Sequence, residues 1–232
     1  MSDITTARQL TTPPVVSLNT MCDQMSLPGL DAETPPFKPA VIDGRPGQPS
    51  AYNLFLAVLP EPEDAQRIAR VAANLRECNG LVGKCLRAER LHITLQALAS
   101  FRRAVPQAVL DAAVAATASV DCPPLPIVLD RACSFPNVGS RGHNAFVLRC
   151  DARSDTAIAR LRQSLTIALR RTGLRAEPSG TPHMTMLYDQ RVVPEQVIQP
   201  LHWTATSFAL ILSHVGLAYH QQIARWSLAD RT

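Results

Sequence analysis

The chain has 232 residues, is 46% hydrophobic and carries a formal net charge of +4, enough length for one sizeable core and a basic bias that suits an anionic ligand without demanding a nucleic-acid duplex. Six cysteines (Cys22, Cys78, Cys85, Cys122, Cys133, Cys150) are scattered, with no C-x-x-C pair and no His/Cys cluster at zinc spacing, a pattern that speaks for reduced thiols in a cytoplasmic protein and against a bound metal. The longest apolar runs, such as Leu54 to Leu59, fall far short of the roughly 20 residues that cross a bilayer, and no secretory pattern opens the chain, so no membrane partner is expected.

Residues 1–50 hold eight of the nineteen prolines and five acidic against three basic side chains. Proline removes donors and fixes φ, and no sustained period runs through the segment, so it reads as a flexible, loosely draped arm. Residues 51–232 form the folded domain.

That domain opens with Tyr52 to Leu59, an apolar run stopped by Pro60, which reads as a strand buried on both faces. A helix follows from Pro62, with Ile68, Val71, Ala72 and Leu75 at helical spacing, acidic residues in its first turn and Asn79-Gly80 as its stop. The strand of Leu91-His92-Ile93-Thr94-Leu95 runs to about Leu98, and residues 106–119 read as a second, Ala-rich helix. Leu125 to Phe135 and Asn144 to Cys150 make a strand pair around a turn at 137–142. Ser154 is an N-cap candidate for a helix carrying Ile158, Leu161, Leu165 and Leu169 and ending at Gly173. Ten residues later stands Pro182-His183-Met184-Thr185-Met186. The spacing then predicts a loop or short turn from Pro194 to Pro200 and two closing strands, Thr206 to Val215 and Gln222 to Leu228.

Laid on itself at an offset of 91, the chain superposes His92 on His183, Thr94 on Thr185 and Phe55 on Phe146. Each half reads strand, helix, H-x-T strand, a degenerate duplication. The expected fold is α+β and bilobal: pseudo-twofold strand-helix-strand units, antiparallel-rich sheets lining a central cleft, and helices on the outer faces.

Alternation along a strand puts His92 and Thr94 on one face and Ile93 and Leu95 in the core, and the second motif repeats this. An imidazole titrating near neutral pH beside a hydroxyl donor suits proton transfer around a phosphate, and two such pairs make a base and an acid. Six histidines and sixteen threonines give about 0.4 chance matches to H-x-T, so the letters alone decide little. His202-Trp203-Thr204 also fits them, and reads as a polar residue at a strand entrance. What singles out His92 and His183 is their equivalent place in the repeat. Weaker candidates for substrate contact are Tyr188, Arg141 and His143.

The paired motifs, the opening strand Leu54 to Pro60 and the ending Trp203, Phe208, Ser213, Tyr219, Arg225-Trp226-Ser227-Leu228 resemble the two-histidine phosphoesterases, within them the LigT-like RNA 2′,3′-cyclic phosphodiesterases formerly called 2′-5′ RNA ligases. The resemblance covers about Tyr52 to Leu228. It implies both histidines in one cleft, hydroxyls of Thr94 and Thr185 on phosphate oxygens, hydrolysis without metal or other cofactor, and RNA ends or small cyclic nucleotides as partners; the chain itself is expected to be a monomer. Two departures bear on substrate choice: Gln96-Ala97-Leu98-Ala99-Ser100 replaces a basic or aromatic run, and Tyr188 replaces a common arginine. Cleavage of 2′-5′ oligonucleotides or ADP-ribose cyclic phosphates, and a non-catalytic nucleotide- or RNA-binding module, are the alternatives.

Overall fold

The computed structural model describes residues 50–136, 143–176 and 180–229. The expected proline-rich arm and Arg141 lie outside the described residues.

Strand β1 (Tyr52–Val58) leads into helix α1 (Pro62–Cys78), a single 3-10 turn (Ala88–Arg90), β2 (Ile93–Phe101), α2 (Gln107–Thr117), β3 (Leu125–Phe135), β4 (Asn144–Cys150), α3 (Ala152–Arg171) and then β5 (His183–Asp189), β6 (Gln196–Ala205), β7 (Ser207–His214) and β8 (Tyr219–Ser227). Pro62, with its fixed φ, starts α1, and Gly80 at φ +60 turns the chain away from its end, a conformation that needs no Cβ. The cap of α3 is Asp151, whose carboxylate accepts the Ser154 N–H at 2.8 Å. Ser154, the expected cap, lies within the first turn and its hydroxyl instead accepts the Val128 N–H at 2.9 Å, tying the helix to β3.

The eight strands form one antiparallel sheet in the order β6-β3-β4-β5-β2-β1-β7-β8. Its two halves join at β2 and β5 through a single bridge, Ile93 opposite Met184. About that seam β2 matches β5, β1 matches β4, β7 matches β3 and β8 matches β6, so the expected pseudo-twofold is present in the strand order. The outer strands are exchanged: β7 and β8, last in the chain, complete the sheet begun by β1 and β2.

The repeat reaches into the backbone irregularities. Pairing skips Leu95 between Thr94 and Gln96, and skips Met186 between Thr185 and Leu187. Both H-x-T strands therefore bulge at the residue after the threonine, and beyond each bulge the alternation of faces is inverted. This carries Gln96, paired with Leu56, onto the helix-covered face, where it meets Thr166 of α3. The register also corrects the superposition of Phe55 on Phe146. Ala57 pairs with Thr94 and Val147 with Thr185, so the first strands match at an offset of 90 and Phe55 corresponds to Ala145. Phe146 is in the main core, whereas Phe55 belongs to a small cluster on the other face with Ala57, Ala209 and Ile211.

That main core lies on one face of the sheet, where residues of α1, α2 and α3 pack against alternate strand positions such as Leu54, Leu56, Ile93 and Met184. The expected loop from Pro194 to Pro200 ends at Glu195, and Gln196 to Pro200 are instead the start of β6. As an edge strand bonded only to β3, β6 tolerates Pro200, whose missing N–H costs no ladder bond, opposite a bulge at Asp130.

The sheet is strongly bent. Only Thr206 separates β6 from β7, a link of about 7 Å at most, although in a flat sheet their six strand spacings span about 29 Å.

Candidate active site

The single bridge at the seam settles which side chains meet. Ile93 and Met184 are opposite each other and fully buried, so their neighbours His92, Thr94, His183 and Thr185 face the other way, onto the side without helix packing. By the antiparallel register Thr94 stands opposite His183 and His92 opposite Thr185. The histidines are thus diagonal neighbours, about 7–8 Å apart, spacing that accommodates a tetrahedral phosphorus between the rings. All four residues are partly exposed.

Each ring is held the same way. His92 Nδ1 is 2.8 Å from the Arg90 carbonyl and His183 Nδ1 is 2.8 Å from the Thr181 carbonyl. A carbonyl only accepts, so Nδ1–H donates in both and each neutral ring keeps Nε2 as its acceptor nitrogen. Each ring also rests against an aromatic: Phe55 stacks on His92 with centroids 5.0 Å apart, and Phe135 meets His183 edge-on at 4.8 Å. Phe135 lies on β3, paired with Ala145, and so supplies the ring that the second half lacks at the place of Phe55. Among the described residues the hydroxyls of Thr94 and Thr185 are engaged in no hydrogen bond, leaving them available to a ligand.

Burial pushes the His92 imidazole down to about 4; its bond to the Arg90 carbonyl opposes this, and the charges of His183 and Arg90 reinforce it. His183 is lowered too, by burial first, against the Thr181 bond and with Arg162 and Arg149 adding to the effect. Both rings are therefore bases, and an anion set between them favours the cationic form of one.

Arg162 of α3 reaches into the seam, donating to the Thr94 carbonyl and to the Gly180 carbonyl, each at 2.6 Å. It ties the backbone of the first motif to the segment that leads into the second, where β2 and β5 share only one bridge. Burial lowers it to about 10. Beyond His183, Arg149 stands opposite it on β4 and shares Glu195 with Arg131.

Sequence reasoning named no partner for His220, on β8. In a flat sheet β8 is three spacings from β2, about 14 Å. Here the His220 and His92 ring centroids are 5.3 Å apart, and His220 lies 5.7 Å from Phe55. The β7–β8 hairpin thus curls over this face, which is concave. No periodicity along the chain signals such a contact, since it comes from sheet curvature.

Of the weaker candidates, Tyr188 is half exposed and pairs with Ala145 on the same face; desolvation of its hydroxyl end pushes it up, and the charge of Arg90 opposes this. His143 is exposed just before β4. His202 lies within β6, not at its entrance, and its carbonyl accepts from Arg67. Among the described residues no group of three or more His, Cys, Asp or Glu could hold a metal ion, and no helix is long and apolar enough to cross a membrane.

A mostly antiparallel sheet duplicated about two H-x-T strands, with helices on one face, is the architecture of the two-histidine phosphoesterases. The chain belongs to the 2′-5′ RNA ligase superfamily, whose family model matches residues 52–222. Its fold is similar to that of LigT from E. coli in a crystal structure with ATP, at 22% identity and a TM-score of 0.56, covering 79% of this chain and all of LigT. A protein from Thermus thermophilus is similar at 20% identity and a TM-score of 0.58, covering 77% of this chain and all of that one. No curated protein matches the chain.

Proposed function

We propose that this protein is a phosphodiesterase that opens 2′,3′-cyclic phosphates at RNA ends or on small nucleotides. What supports the reading most is the matched presentation of His92 and His183: two imidazoles on one concave face, each with Nδ1–H anchored to the carbonyl two residues before it and Nε2 outward. Structures of LigT with 3′-AMP and with NADP+ give a likeness in fold to a protein that holds nucleotides.

In the reaction the neutral histidine takes a proton from water as its oxygen bonds to phosphorus. The P–O bond to one ribose oxygen breaks in line, and the other histidine, as imidazolium, gives that oxygen its proton. Thr94 and Thr185 donate to the equatorial oxygens as charge builds on them. Each positioned acid or base contributes about 10²–10⁴ in rate.

The test is a panel of 2′,3′-cyclic mononucleotides, cyclic-phosphate-ended oligomers, 2′-5′ linked oligoadenylate and ADP-ribose cyclic phosphate, with product analysis in buffer and in EDTA. The reading expects ring opening to a single monophosphate product at a rate EDTA leaves unchanged. Turnover confined to the last two substrates moves the assignment to those diesters, and binding without turnover of any member makes the protein a nucleotide-binding module.

A further inference from the structure

Among the described residues, one cation on the concave face has no anion. Arg90 closes the 3-10 turn Ala88–Arg90, and its contact with His220, whose ring meets His92, puts its guanidinium on the face that carries the site. Its carbonyl holds His92, and its guanidinium reaches His220, with Nη2 3.4 Å from Nε2. A guanidinium only donates, so His220 Nε2 is the acceptor and the ring is neutral.

Among the described residues this is the one side-chain hydrogen bond of Arg90, which has no carboxylate partner there. Its Nε is buried without a hydrogen-bond partner. The other arginines nearby are engaged: Arg87 pairs with Glu89 at 3.0 Å, Arg131 and Arg149 share Glu195, and Arg162 holds two carbonyls. The charge of Arg90 acts on His92, on His220 and on Tyr188, which surround it. A planar fork with unspent donors matches an anion presenting several oxygens in one plane.

We propose that Arg90, held in place by His220, is the residue that receives the charge of the substrate's phosphate beside His92. The choice of phosphate as the anion rests on the phosphodiesterase reading. Arg90 contacts the ligand directly, whereas His220 is a positioning residue that acts by aiming the guanidinium.

Inorganic phosphate and adenosine 2′-monophosphate, titrated into the whole protein and followed by the imidazole NMR signals, test this without relying on turnover. Arg90→Gln should weaken both about ten- to a hundredfold, the loss of a charge-assisted bond, with Arg90→Lys between it and the native protein. His220→Gln keeps an acceptor and should bind within about threefold of native, while His220→Phe keeps the ring but no acceptor and should lose about tenfold. If Arg90→Gln does not fold, Arg90→Lys and His220→Phe decide. Native affinity in Arg90→Gln, no phosphate binding by the native protein, or equal behaviour of the two His220 variants overturns the proposal. Arg90-dependent phosphate binding without turnover of any cyclic phosphate would sink the phosphodiesterase reading alone, and turnover with kcat/KM unchanged in Arg90→Gln would sink this one alone.

Discussion

The imidazoles of His92 and His220 are held at about 4, each chiefly by burial. Arg90 and the partner ring add to this. An unfolded chain takes up these protons near 6.5 and the folded one only near 4, so between those values the unfolded state binds more protons and stability rises with pH. Stability from this pair is therefore present above about pH 6.5, is lost as pH falls from there toward 4, and is level below. The denaturation midpoint of the native protein should drop across that window, and His220→Gln should flatten the drop while leaving the midpoint at neutral pH within a few degrees. A variant that follows the native pH dependence would show that His220 is not held neutral by its neighbours.

At the scale of elements, the seam between β2 and β5 depends on a side chain. With one bridge between those strands, Arg162 supplies donors that a continuous ladder would have drawn from the backbone. Arg162→Met should lower unfolding stability by about 2 kcal/mol or more, because two carbonyls lose charged donors. It should also lower kcat more than it raises KM, since the histidines lose their spacing before the cleft loses its walls, and a variant of native stability and kcat would remove Arg162 from this role. None of this was legible in the sequence, where Arg162 reads as one polar position on an amphipathic helix. The H-x-T strands were legible, because alternation along a strand is a local property of residues 91–95 and 182–186. The bulges at Leu95 and Met186 were not: both residues are apolar and continue the alternating pattern, and only the cross-strand register shows that the faces invert there. That inversion is why Gln96 leaves the site and why Phe55 was matched to the wrong partner. Strand β6 was missed for a related reason, since Pro194 and Pro200 punctuate a segment that an edge position allows to pair.

For the molecule as a whole, duplication repeats the H-x-T strands and curvature brings further groups up to them. Two strand-helix-strand units place like residues across a pseudo-twofold, each histidine anchored by its own backbone and faced by its own phenylalanine. Bending the sheet brings the β7–β8 hairpin over one side only, so His92, already beside Arg90 in the chain, gains His220 as a neighbour, while His183 has Arg149 and Arg162. The two halves are thus alike in their histidines and threonines and unlike in their electrostatics, as the proposed division into one base and one acid requires.

The central claim is that these two rings act on one phosphorus. It is tested most directly by the turnover of a 2′,3′-cyclic nucleotide by native protein, His92→Ala and His183→Ala, with folding checked by circular dichroism. Each single variant should lose at least about a hundredfold in kcat with its fold intact, and the double variant should lose little more than either alone, because the two groups serve one step. Native rates in either folded variant, or losses that simply multiply in the double variant, would contradict it.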